Sequence, residues 1–255
     1  MVRQANSSRG FEPFTMFPGN YECGTITQVV NNFKPQLVAW LCDAFMVPWI
    51  AQKKKEWKDN PKTLFYFPVD SDDIYLGMDE TLASVDFRVA MSRFGHNKLK
   101  KETGLDSYVI PHCVDVQTFH PLANRDQLRK DNGLDGKFVI GMVGRNQSRK
   151  NPQRLLYILK IFFDNHPDAV AMFHCDPYDP MSSTGKVDMY KHAKEIGLND
   201  HYPGRNDCPN CRLRFTGYNM GNQANPPTLN TIYNVFDVHA LSTTGEGFGI
   251  TTIEA

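Results

Sequence analysis

The chain has no excess charge of either sign, no long apolar run and few cysteines, and each lack removes a class of function. Lys plus Arg and Asp plus Glu both total 28 over 255 residues, so the formal net charge is zero. That balance gives no electrostatic footing for nucleic acid or an acidic membrane as the main partner. No apolar run reaches ten residues, whereas a spanning helix needs about 20. The start, Met1-Val2-Arg3-Gln4-Ala5-Asn6, lacks the apolar segment of a secretory signal. Six cysteines, at 23, 42, 113, 175, 208 and 211, are too sparse for a disulfide scaffold. The expectation is a cytoplasmic protein. Internal repeats and low-complexity tracts are also missing, which excludes solenoids and linker-like chains. What is there, 41% hydrophobic and 12% aromatic residues, describes a globular chain with a real core.

The second half alternates strand and helix. Phe138 to Val143 is a continuous apolar run, as expected of a strand buried on both faces. Asn151-Pro152 opens a helix whose Leu155, Ile158, Leu159, Phe162 and Phe163 form one stripe. Further strands are expected at 169–173, 212–215 and 237–242, with helices at 187–196, 229–236 and from Gly249 onward. The first half repeats the alternation: strands at 37–41, 63–67, 87–91 and 108–110, helices at 47–57, 78–85 and 94–102. The polar stretch 121–136 reads as a connection between two domains, 1–120 and 137–255. The fold class is therefore α/β, two parallel-sheet units with helices on their faces. Glu254-Ala255 fall only a turn or two into a helix, and no first strand with a glycine-rich turn opens the chain. Both ends look cut from something longer.

Ligands of such sheets bind beyond the carboxyl ends of the strands, and two loops of the second half lie there. Gly144-Arg145-Asn146-Gln147-Ser148-Arg149-Lys150-Asn151 follows strand 138–143 and places three cations within six residues. Arg presents a planar fork to phosphate oxygens and Lys a compact charge; the alternative is a solvated basic loop. Thr243-Thr244-Gly245-Glu246-Gly247-Phe248-Gly249-Ile250 follows strand 237–242. Its glycines let backbone N–H groups approach a phosphate. Glu246 and Glu254 are placed to accept hydrogen bonds from sugar and ribose hydroxyls, although an acid at Glu254 also simply complements a helix dipole. Together the loops hold the inventory for a sugar nucleotide.

Three other patterns compete for chemistry. Asp70-Ser71-Asp72 is an Asp-x-Asp triplet able to carry a metal and a diphosphate, yet common in turns. Cys208 and Cys211 have zinc-knuckle spacing without a second pair; further ligands would have to come from His192, His201, His174 or Cys175, and a reduced pair in an insertion loop is the simpler expectation. Lys53-Lys54-Lys55 with Trp57, and Lys98 with Lys100-Lys101, read as solvated helix faces, making membrane contact at most peripheral. His112 reads as a structural residue at the domain junction.

Val139 to Leu156 resembles the "strand, Gly-Arg, several residues, Lys, helix" signature of the group 1 (family 4) glycosyltransferases. Gly245 to Ala255 resembles their Glu-x7-Glu signature almost residue for residue. Val109-Ile110-Pro111-His112-Cys113-Val114-Asp115 with Phe119 and Pro121 is similar to their inter-domain segment, with Cys113 where the family usually has Gly. Asp86 to Gly95 is similar to their "acid, strand, Ser, Phe-Gly" stretch. The similarity runs from about Phe33 to Ala255. It implies two Rossmann-like domains facing across a cleft, the GT-B architecture. It also implies transfer of a hexose from a nucleotide-diphosphate sugar, with retained configuration, no essential metal and no cofactor, to an acceptor the sequence does not identify. By the same resemblance, Arg145 and Lys150 hold the diphosphate and Glu246 contacts the transferred sugar. Glu254 contacts the ribose, and Gly144, Gly247, Phe248, Gly249 and Ile250 complete the donor site. A nucleotide-sugar binding domain without turnover, or a sugar-nucleotide epimerase on the same architecture, is the alternative. A phosphorylase would need a lysine for pyridoxal phosphate, and none is evident.

Overall fold

A computed structural model describes residues 3–4, 15–16, 26–75, 77–179, 187–198, 211–216 and 224–255. They fall into two units, Met1–Pro111 and His112–Ala255. In the first, β1 (Arg3–Gln4) and β2 (Thr15–Met16) form a short antiparallel pair, and α1 spans Ile26–Phe33. Its main sheet is parallel, in the order β3 (Leu37–Leu41), β4 (Lys62–Phe67), β5 (Phe87–Ala90), β6 (Tyr108–Val109). The helices α2 (Ile50–Lys53), α3 (Met78–Ala83) and α4 (Arg93–Thr103) connect them. The side chain of Ser92 accepts from Gly95 N at 3.0 Å to start α4, and Gly104, at φ 75°, ends it. Ile50, Phe65, Phe67, Leu82 and Leu99 fill one core. The continuous helix expected over 47–57 is instead a four-residue α turn between two 3-10 turns, Ala44–Met46 and Lys54–Glu56. Pro48 has no N–H to donate and lies ahead of the α turn, which starts at Ile50 and not at Val47; nothing in the structure explains the tightening at Lys54.

The second unit holds α5 (Arg125–Asp131), β7 (Phe138–Val143), α6 (Pro152–Asn165), β8 (Ala169–His174), α7 (Met189–Glu195), β9 (Leu213–Phe215), α8 (Pro226–Asn234), β10 (Val238–His239) and α9 (Ile250–Glu254). All strand pairs are parallel, in the order β10-β7-β8-β9. The chain starts in the middle at β7, moves outward through β8 and β9, then returns to the other side of β7. Strand order thus reverses between β7 and β10, the switch point at which such sheets open a crevice beyond their carboxyl ends. Ile140 and Met142 pack on α6 with Leu155, Leu156, Leu159 and Phe163. Val139 and Val143 pack on the opposite side with Tyr233 and Phe236. The stripe on α6 is rotated from the one expected: Leu156 is fully buried and Ile158 half exposed. Two parallel α/β units are what the sequence implied.

The stretch 121–136 carries α5 and groups with the second unit. Its Arg129 is buried and donates to Val235 O at 2.8 Å, to Asp237 Oδ2 at 3.0 Å and to Lys137 O. Asp237 also accepts from Val139 N at 2.8 Å and from Arg125 at 2.8 Å. Burial pushes the Asp237 carboxyl up, but the Val139 amide and the two guanidiniums outweigh it and hold the group below its ordinary value. A depressed carboxyl contributes stability above its unfolded pKa, about 3.9, and that contribution is lost as pH falls through the lower folded value. Asp237→Asn is therefore expected to lower the melting temperature at pH 7, with the gap from wild type closing below about pH 4. A gap independent of pH, read by melts across the acid range up to neutrality, would contradict this.

Candidate functional site

At the switch point the loop after β10 is stitched, mostly by its hydroxyls, onto backbone carbonyls of the loop after β7. Arg149 O accepts from Thr243 Oγ1 at 3.1 Å, from Thr244 N at 2.7 Å and from Thr244 Oγ1 at 3.1 Å. Ser242 Oγ donates to Asn151 O at 2.7 Å and to Lys150 O at 3.1 Å. The first loop ends in a 3-10 turn, Ser148–Lys150, and Asn151 follows with φ 47°. Asn tolerates that left-handed conformation better than most residues. Its side chain caps α6 by accepting from Arg154 N at 3.3 Å, and Pro152 takes the first helical position.

Lys150 and Glu246 are brought together. Lys150 is buried, and its Nζ donates to Glu246 Oε1. Arg149 Nη1 donates to the other carboxylate oxygen at 3.0 Å and to Gly245 O at 2.8 Å. Burial pushes the Glu246 carboxyl up, but hydrogen bonds and charge from Lys150 and then Arg149 hold it below its ordinary value. Gly144 lies under the lysine stem, where an added Cβ would be 3.9 Å from Lys150 Cε. Gly249, at φ 76°, adjoins Glu246, whose Cβ would be 3.8 Å from an added one. Lys150, Glu246, Gly144 and Gly249 therefore form one contiguous set.

Arg145 is held elsewhere. Its Nε and Nη2 donate to Asp179 Oδ2 and Oδ1, both at 3.0 Å, and the Asp179 side chain is only 1% exposed. Asp176 Oδ1 in turn accepts from Tyr178 N at 2.9 Å and Asp179 N at 3.1 Å, fixing that loop. The next residue, Asn146, is fully buried and donates to Pro177 O at 2.9 Å and Val187 O at 2.6 Å. The base of the cationic loop is thus clamped to the loop after β8. The sequence held no local signal for Asp179, which is paired across 34 positions.

Glu254 accepts from Tyr233 OH at 2.8 Å, and burial followed by that carboxylate pushes the phenol well up. Phe248 meets His112 edge to face, with centroids 5.4 Å apart. Gly247 is half-buried and Ile250 exposed beside them. His239, on β10, has its ring against Tyr233 with centroids 5.6 Å apart; burial and then Lys150 lower its pKa to about 4, so it is neutral.

The other patterns take ordinary structural places. Asp70 Oδ1 accepts from Tyr75 OH at 3.1 Å, and Ser71 Oγ donates to Asp73 O at 2.7 Å. Cys211 is disulfide-bonded, which corrects the expectation of a reduced pair and leaves it no thiolate to offer zinc; Cys208 and His201 lie outside the described residues. Cys175 is buried against Met189 Sδ at 3.7 Å, and His174 Nδ1 bonds Thr216 Oγ1 at 2.6 Å. Among the described residues, no helix is long and apolar enough to cross a membrane.

No family model matches the chain. A D-inositol 3-phosphate glycosyltransferase of Corynebacterium glutamicum is 28% identical over 153 residues, covering 58% of this chain and 32% of that protein. Mannosylfructose-phosphate synthase of Agrobacterium fabrum is 26% identical over 152 residues, 58% of this chain and 30% of that protein. Among solved structures, Anabaena HepE in complex with UDP and glucose superposes with a TM-score of 0.66 at 14% identity, over 92% of this chain and 62% of that one. The chain spans about a third or less of the curated relatives it matches, 18–32% of their length. Relatives and fold agree with the resemblance to the group 1 glycosyltransferases.

Proposed function

We propose that this chain, similar in sequence and fold to the group 1 glycosyltransferases, acts as a GT-B glycosyltransferase that moves a hexose from a nucleotide-diphosphate sugar with retention, its second unit binding the donor and its first lying on the acceptor side. The observation that carries this is the meeting of the two loops at the switch point, with buried Lys150 on the Glu246 carboxylate and Arg145 fixed nearby in sequence by Asp179. Lys150 and Arg145 take the diphosphate and stabilise the charge that grows on it as the glycosidic bond breaks. Glu246 accepts from hydroxyls of the transferred sugar. Glu254, fixed by Tyr233, accepts from the ribose, and the backbone around Gly247, Phe248, Gly249 and Ile250 lines the sugar and phosphates. The acceptor is left open.

Two outcomes test this. A panel of UDP, GDP, ADP and CDP in a thermal-shift assay should contain at least one nucleotide that raises the melting temperature by several degrees, since saturation at about 100 times Kd stabilises by about 2.7 kcal/mol. No shift with any nucleotide would reject the reading. Turnover, assayed separately as donor hydrolysis and as transfer, is expected to survive EDTA, because two cations neutralise the leaving diphosphate where a metal would otherwise be needed. Loss on chelation, restored by manganese or magnesium, would favour a metal-dependent mechanism and bring Asp70 and Asp72 back into question.

A further inference from the structure

Glu246 is shared by two cations, one oxygen on each: Oε1 on Lys150 and Oε2 on Arg149. Only one of these two is free to leave when a more highly charged anion arrives. Both backbones are bonded to the second loop, that of Lys150 through Ser242 Oγ, but among the described residues Lys150 Nζ donates to Glu246 only. Arg149 is tied to the glycine-rich loop at both ends: its backbone carbonyl accepts three hydrogen bonds from Thr243 and Thr244, and its Nη1 also donates to Gly245 O. We infer that Arg149 is a positioning residue, which keeps Glu246 in place for the sugar while Lys150 turns to the donor diphosphate.

The exchange has a simple chemical logic, and it rests on the function proposed above. A diphosphate competes with Glu246 for Lys150, and the transfer of that lysine releases Oε1. The released oxygen becomes an acceptor for a sugar hydroxyl. Oε2 stays on Arg149, so a half-buried carboxylate keeps a charged partner and a fixed direction. Without Arg149, the same exchange strands the carboxylate, which then follows Lys150 or swings away. Arg149 consequently contributes to recognition of the sugar and not of the nucleotide. Its guanidinium is partly exposed, and its backbone bonds survive truncation of the side chain, so Arg149→Ala is expected to fold.

The test is the affinity of the full chain for UDP and for UDP-glucose, by calorimetry, in wild type, Arg149→Ala and Arg149→Lys; if the panel selects another base, its diphosphate and glucose conjugate replace them. Arg149→Ala should bind the diphosphate within about twofold of wild type and lose about tenfold for the sugar conjugate, the scale of one charged hydrogen bond. Arg149→Lys keeps the charge and should recover part of that loss. Equal losses for both ligands would make Arg149 a phosphate ligand and overturn the inference, as would no change for either or no recovery with lysine. A wild-type chain that binds no nucleotide would overturn the functional reading first.

Discussion

Lys150→Ala is expected to lower sugar transfer by about 10²–10³-fold, the range for removing one group aimed at a developing charge. The residue is buried, and its ammonium lies on the carboxylate that the sugar is proposed to use. The variant should fold, because Glu246 retains Arg149 and the loop-to-loop bonds run through the backbone at Arg149, Lys150 and Asn151. Arg145→Ala is a less clean experiment than its place in a polar loop suggests. It takes the guanidinium from a carboxylate that is 1% exposed, and an ion pair broken at a buried site destabilises the fold as well as the chemistry. Lys150 is therefore the decisive position. Wild-type transfer by a folded Lys150→Ala protein would remove it from the site.

How far the fold is legible in the sequence follows from how each element buries its residues. β7 is readable because both of its faces are covered, which demands an unbroken apolar run. β10 is expected over 237–242 and is only Val238–His239; beyond it the chain turns so that Ser242 and Thr243 bond the first loop. Helix α1 is missing from the expectation although Ile26, Val29, Val30 and Phe33 carry helical spacing, a signal within reach. In the 121–136 stretch polarity suggests exposure, and Arg129 shows why that inference fails: its charge is buried because carbonyls and Asp237 satisfy it.

The site divides in the same way. Glycine spacing and the cation cluster mark the two loops, since those features are local in sequence. The pairings within the site are not legible, because they join residues far apart: Arg149 to Glu246 across 97 positions, Arg145 to Asp179 across 34. Local pattern shows which chemistry is present, and only the topology of the sheet decides which charge meets which.

Gly141→Ala is expected to be among the most destabilising single-methyl changes in the second unit. An added Cβ at this position would meet three atoms of the Phe236 ring at well under 3.0 Å, far inside contact distance. The ring cannot retreat cheaply. It packs with Tyr233 at a centroid distance of 6.1 Å, and its own carbonyl accepts from Arg125 at 3.0 Å. On either side, Val235 O and Asp237 are bonded to Arg129. Overpacking costs about 1–3 kcal/mol when neighbours can shift, and the anchored backbone puts this site at the upper end or beyond. The strain would also reach the site, since Gly141 pairs with His239 of β10 and its carbonyl accepts from Ala240 N at 2.8 Å, just before the loop that carries Glu246. Nucleotide binding should then weaken together with the melting temperature. Phe236→Ala alone removes a large core side chain at a cost of about 3–5 kcal/mol, but it also makes the room that the methyl added by Gly141→Ala needs. The double variant should therefore lose clearly less than the sum of the two single changes, because the clash and the cavity cancel in part. Strict additivity, or a Gly141→Ala protein that melts with wild type, would show that the ring does not close on the centre of β7.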